Sequence, residues 1–205
     1  MKRTRTSKAW MQEHVSDEFV KRAQKDGYRA RAAYKLMEID DKDRLFKPGI
    51  IVVDLGSAPG SWSQVATQRL QGKGRVIALD LLEMQGMPGV EFLQGDFRED
   101  GVLAQLEALL DGKQVDLVIS DMAPNISGIS VVDQAGMAHL AELTLEFSAQ
   151  WLKPGGSMLV KLFAGSGFDD IVRNARQQFD QVVMRKPKAS RDRSSEVYLL
   201  GLKKR

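Results

Sequence analysis

From residue 50 onward, short apolar runs alternate with longer segments whose apolar positions recur every three or four residues. The first run, IIVV from Ile50, closes on Asp54 and lies between Pro48-Gly49 and Gly56. An apolar run this short, bounded by turn residues, predicts a buried strand. Similar runs predict strands over 75–80, 90–94, 115–120, 157–163, 182–185 and 196–202 as well as 50–54. Helical spacing predicts helices over 61–70, 99–110, 133–152 and 168–178, and over 30–39 in a helical N-terminal part that breaks at Asp26-Gly27. Strands alternating with helices imply a mostly parallel sheet covered on both faces.

The last two strands depart from this rhythm. KPKASRDRSS, which separates them, has no apolar periodicity and contains Pro187. A parallel crossover takes a dozen or more residues, usually helical, so these strands are expected to be antiparallel neighbours. The expected fold is α/β, with seven strands and the last one reversed. The expected organisation is one domain over 1–205, a basic helical extension over 1–45 leading into an α/β core over 46–205. Repeats and low-complexity segments are absent from the sequence.

Composition narrows the class. The 205 residues suffice for one full core. With no cysteine, thiolate metal sites and disulfides are excluded. No apolar stretch approaches the roughly 20 residues of a membrane span, and MKRTRTSKAW leads into no signal-peptide core, so a cytoplasmic protein is expected. The net charge of +3 is unevenly spread: residues 1–35 carry ten Lys and Arg against four Asp and Glu, and residues 182–205 carry eight against two. With +6 at each end, the centre holds −9. Such a distribution suits a polyanion at the flanks and a cation in the middle.

The candidate chemistry lies at strand ends, where open α/β sheets bind ligands. After Asp54 comes the turn GSAPG, Gly56 to Gly60, leading into a helix. It is not the dinucleotide pattern Gly-x-Gly-x-x-Gly, because position 58 is Ala and Pro59 precedes the last glycine. Asp80, about twenty residues beyond the turn, stands where an acid can reach ribose hydroxyls. Asp96, in GDF, is placed to accept from an adenine amino group, and Asp121 follows the strand VDLVIS in SDMAPN. Four carboxylates in register favour a cationic ligand over a pyrophosphate. Lys161 interrupts the apolar strand SMLVKLF, and a buried lysine is costly unless paired or used. Lys35 on a helix and Glu196 at the start of the last strand complete a charged set from distant segments.

Asp54 followed by G-x-x-P-G resembles the cofactor loop of S-adenosylmethionine (SAM) methyltransferases, and a seven-stranded sheet with a reversed last strand is the class I, Rossmann-like arrangement of those enzymes. Lys35, Asp121, Lys161 and Glu196 resemble the K-D-K-E tetrad of RNA ribose 2′-O-methyltransferases. GYRARAAYKL, DLGSAPGSWSQV, SDMAPN, VKLF and KPKASRDRSSEVYLL resemble the RrmJ/FtsJ (RlmE) family of bacterial ribosomal RNA methyltransferases over nearly the whole chain. The resemblance implies methylation of a uridine ribose in 23S rRNA on the assembled large (50S) subunit by a monomer.

It further implies that Lys161, desolvated near Lys35, is the base, that Asp121 holds its amine and the methyl-donor end of SAM, and that Glu196 and Lys35 orient the ribose. Gly56, Gly60, Asp54, Asp80, Asp96 and Asp121 are expected around SAM. Trp62 resembles a cofactor contact and equally suits helix–sheet packing. Arg29, Arg31, Arg191 and Arg193 flank tetrad members and are expected to grip phosphates. His14 and His139 stand alone, so no metal is expected. Competing readings are a tRNA or mRNA-cap ribose methyltransferase, an NAD-dependent oxidoreductase, and a non-catalytic RNA-binding ribosome assembly factor.

Overall fold

The computed structural model describes residues 17–190 and 194–205; Arg191, Arg193 and His14 lie outside them. In chain order the elements are α1 (Glu18–Asp26), α2 (Ala33–Asp43), β1 (Ile50–Leu55), α3 (Ser61–Leu70), β2 (Gly74–Asp80), β3 (Val90–Gln94) and α4 (Asp100–Leu110). There follow β4 (Val115–Ser120), α5 (Ser130–Trp151), β5 (Leu152–Phe163), α6 (Phe168–Gln178), β6 (Phe179–Arg185) and β7 (Glu196–Lys204).

Seven strands form one sheet in the order β3-β2-β1-β4-β5-β7-β6. β7 is antiparallel to both of its neighbours, β5 and β6, and all other pairings are parallel. The apolar runs make this sheet because both of its faces are buried. Ile51, Val53 and Leu55 of β1 face one core with α4, α5 and α6, while Val52 faces a second core with α2 and α3. The order reverses between β1 and β4, and the ends of those two strands therefore open the crevice in which ligands of such sheets lie.

The expected elements are all present, with shifted ends. The helix expected over 30–39 starts at Ala33 and continues to Asp43, because residues 30–35 first make a tight turn with i→i+3 bonds such as Ala33 N to Ala30 O at 3.2 Å. β5 begins at Leu152 rather than 157, and an irregularity opposite Val115 and Leu117 absorbs its Pro154-Gly155. β6 begins at Phe179, whose buried ring packs against Gly201 of β7.

α2 is held in place by buried charge. Asp40 accepts from the backbone N–H groups of Leu45 and Phe46 at 2.8 and 3.1 Å and pairs with Arg69 of α3 at 3.1 Å. Arg185 of β6 grips Asp43 with two hydrogen bonds, 2.7 and 2.6 Å. A bidentate pair of this kind fixes direction as well as distance.

Candidate active site

Strand alternation sorts the polar groups. Leu117 and Ile119 of β4, Leu159 of β5, and Tyr198 and Leu200 of β7 face the α2–α3 core. By the period of two, Asp121, Lys161 and Glu196 project to this same face at its crevice end. Glu196 arrives there because β7 runs backwards: its first residue pairs with Phe163, the last of β5. Lys35 hangs over the same spot from α2.

These four side chains meet as two ion pairs. Lys35 Nζ lies 2.6 Å from Glu196 Oε1, and Lys161 Nζ lies 3.2 Å from Asp121 Oδ1. Lys161 also donates to the Asp121 backbone carbonyl at 2.6 Å. Between the pairs stands Tyr198, directly opposite Lys161 in the β5–β7 register. Its hydroxyl donates to Asp121 Oδ1 at 2.7 Å and lies 3.3 Å from Glu196 Oε1. Burial, then the charges of Asp121 and Glu196, push the Tyr198 phenol well above its ordinary value, so it remains a donor. Ser190 Oγ donates to Glu196 Oε1 at 2.8 Å. Lys161 is 6% and Glu196 9% exposed, so these charges interact in a poorly screened environment.

Trp62 lies beneath this cluster, 2% exposed. Its indole N–H donates to Ala32 O at 2.8 Å, and its ring packs on Tyr198 with centroids 5.7 Å apart. Trp62 thus fixes both the helix carrying Lys35 and the tyrosine that joins the pairs.

The glycine turn is stitched to β2. Gly56 N and Ser57 N donate to Leu79 O, and Asp80 accepts from Ala58 N and from Leu82 N, each at 2.8 Å. Gly56 has φ +75°, and a Cβ there would meet Met122 Cγ at 2.2 Å, so its bareness lets the Asp121-Met122 turn close down. Gly60 has φ +107°, and a Cβ would come 2.8 Å from Arg29 Nη1. Asp54 is wholly buried, accepts from Ser63 Oγ at 2.6 Å through Oδ2, and has no hydrogen-bond partner at Oδ1. Burial, with the charges of Asp121 and Asp80 adding to it, pushes its carboxyl up to about 7, against the opposing Ser63 bond. Asp96 is gripped by the Arg98 side chain at 2.8 and 2.9 Å, which holds its pKa below the ordinary carboxylate value.

Both described arginines of the expected phosphate set are turned inward. Arg29 donates to three backbone carbonyls, Pro59 O, Gln85 O and Gly86 O. Arg31 pairs with Asp17 and donates to Ala189 O. Tyr198, Ser63, Ser190 and Arg98 are contributors the sequence reading passed over. Tyr198 had a usable signal, since it is two residues from Glu196 on one strand face. Among the described residues no cluster of three or more His, Asp or Glu side chains could hold a metal ion, and no helix is long and apolar enough to cross a membrane.

FtsJ-like methyltransferases match residues 28–204. Ribosomal RNA large subunit methyltransferase E of Methylobacillus flagellatus is 75% identical over 205 residues, 100% of this chain and 99% of that protein. The protein of the same name from Nitrosospira multiformis is 64% identical over the full length of both. Among solved structures, one described as a ribosomal RNA methyltransferase of Plasmodium falciparum superposes with TM-score 0.79 at 32% identity, covering 86% of this chain and 98% of that one. Human methyltransferase-like protein 13 in complex with SAH, at 14% identity and TM-score 0.55 over 83% of this chain and 78% of that one, shares the fold. With a family match over nearly the whole chain and full-length relatives at this identity, the chain belongs to the FtsJ-like methyltransferase family.

Proposed function

We propose that this methyltransferase moves the methyl group of SAM to the 2′-oxygen of a uridine ribose in 23S rRNA of the large ribosomal subunit. The observation that carries the reading is the meeting of Lys35, Asp121, Lys161 and Glu196, through Tyr198, at the crevice end of one sheet face. The names of the full-length relatives support the substrate. The whole chain acts as one catalytic unit, in the cytoplasm, where large subunits are found.

The crevice fits a sulfonium cofactor. Burial, with repulsion from Asp121 and Asp80 added to it, keeps a proton on Asp54, and the buried Asp54 Oδ1, Ser57 Oγ and Ser120 Oγ have no protein partners. A cation beside them relieves that repulsion. Asp80 would take the ribose hydroxyls of SAM, Asp96 its adenine amino group, and the turn from Gly56 to Gly60 its methionine end. Bound there, SAM supplies an activated methyl group with a neutral thioether as leaving group.

This chain's residues supply alignment and proton removal. Lys161, held by Asp121 from two sides, first gives its ammonium proton to solvent, then points the free amine at the target hydroxyl and takes its proton as the oxygen attacks the methyl carbon and the methyl–sulfur bond breaks. Glu196 and Lys35 hold the ribose from the opposite side, and Tyr198 keeps the two pairs at a fixed spacing. Alignment of a preactivated methyl group and a sugar oxygen is worth effective molarities on the order of 10⁵ M or more. The basic flanks, with Arg191 and Arg193, meet rRNA phosphates, so binding weakens steeply with salt.

The test maps 2′-O-methyl nucleotides in rRNA and tRNA from cells lacking the protein and from cells carrying Lys161→Ala. Loss of one 23S uridine methylation in both is expected. A missing tRNA mark, or full methylation with Lys161→Ala, would overturn the reading.

A further inference from the structure

We infer that Arg29 is a positioning residue for the cofactor, clipping together the two loops between which SAM lies; the inference rests on the cofactor site proposed above. Its guanidinium reaches from the α1–α2 connection and donates through Nη1 to Pro59 O at 3.0 Å and Gln85 O at 2.7 Å, and through Nη2 to Gly86 O at 3.0 Å. Pro59 belongs to the glycine turn after β1. Gln85 and Gly86 belong to the loop after β2. Asp80 joins the same two loops from within, through Ala58 N and Leu82 N. Arg29 and Asp80 therefore fix the separation of the loops from two sides.

The clip is itself anchored. Arg29 N donates to Gln64 Oε1 at 2.8 Å, and Gln64 Nε2 donates to Gly27 O at 3.1 Å. Tyr28 hydroxyl donates to Gln68 Oε1 at 2.7 Å. Gln64 and Gln68 are successive turns of α3, the helix that leaves the glycine turn, so the connection is bolted along that helix. Gly60 carries no side chain where the guanidinium passes. A planar fork of five N–H donors can span carbonyls of two loops, whereas an ammonium is a compact point donor. An arginine committed to a phosphate would turn this fork to solvent.

The experiment uses the full-length chain with Arg29→Lys and Arg29→Gln. SAM and SAH affinities are measured by calorimetry, and binding to large subunits from cells lacking the protein is followed against salt. Both variants are expected to bind SAM and SAH roughly ten- to a hundredfold more weakly, the scale for losing charged hydrogen bonds. Turnover at saturating SAM should stay within a few-fold, and the salt slope of subunit binding should not change. Gln64→Leu should weaken SAM in the same direction.

Parental SAM affinity in Arg29→Lys overturns the clip. So does a loss confined to subunit affinity with a salt slope flatter by about one, the mark of a lost phosphate contact. If Arg29→Gln melts too early to titrate, Arg29→Lys alone decides between these outcomes. A parent chain that binds neither SAM nor SAH overturns the cofactor site and the clip with it, whereas a parent that binds beside an unaffected Arg29→Lys overturns the clip alone.

Discussion

Asp54→Asn offers a quantitative test of the buried carboxyl beneath the crevice. The folded carboxyl holds its proton to about 7, burial being the largest cause, while an unfolded aspartate releases it near 3.8. As pH rises from about 4, the unfolded chain loses this proton first and binds fewer protons than the folded one. Folding stability therefore falls with rising pH until the folded group also ionises near 7, and it is level above that. At about 1.4 kcal/mol for each pH unit, the step from pH 5 to pH 7 should cost the parent roughly 2–3 kcal/mol. Asparagine removes the titration and keeps an oxygen for the Ser63 hydroxyl. Its amide N–H group, left where Oδ1 has no protein partner, costs about 1–3 kcal/mol at every pH. Urea unfolding of both proteins from pH 5 to pH 8 should show Asp54→Asn less stable at pH 5, with the gap closing or inverting by pH 8. Stability curves that run parallel within about 0.5 kcal/mol would refute the reasoning. The same titration reaches the ligand: a sulfonium favours the Asp54 carboxylate, so parental SAM affinity should rise through pH 7 more than SAH affinity does.

Other outcomes are equally direct. Tyr198→Phe removes a buried donor to Asp121 and should cost about 1.5–3 kcal/mol in urea unfolding, with methyl transfer to large subunits down roughly tenfold or more. Lys35→Met and Glu196→Gln should each destabilise the fold, and the double variant should recover about 1 kcal/mol or more of the summed loss in a thermodynamic cycle, since each single change strands a largely buried charge. Gly56→Ala drives a Cβ into Met122 and a left-handed backbone at once, so a loss of about 2 kcal/mol or more, with weakened SAM binding by calorimetry, is expected.

Much of the fold was legible because its strands are buried on both faces and write themselves as apolar runs. The antiparallel ending followed from a connection too short and too polar to cross over. Lys35, Asp121, Lys161 and Glu196 were legible as charges set against apolar surroundings. Tyr198 was only partly legible: its spacing of two from Glu196 sets it on the same strand face, but an aromatic in an apolar strand reads as core, and the β5–β7 register reveals what its hydroxyl meets. Arg29 shows another limit. A basic arm suggests phosphates, but its acceptors are main-chain carbonyls, which leave no trace in the side-chain alphabet. The Asp54–Ser63 bond was hidden for a similar reason, because it depends on how α3 leaves the glycine turn.

The placement of β7 has a consequence for biogenesis. β6 has no bond to β5 and attaches to the rest of the sheet only through β7, the strand that also delivers Glu196 and Tyr198. A nascent or clipped polypeptide without that segment keeps a five-stranded remnant with an orphaned edge, and it lacks both Glu196 and the hydroxyl that joins the two ion pairs. Closing the far edge of the sheet and bringing Glu196 to the other three charges are therefore one event, while the strands that lead to Asp54, Asp80 and Asp121 pair without it.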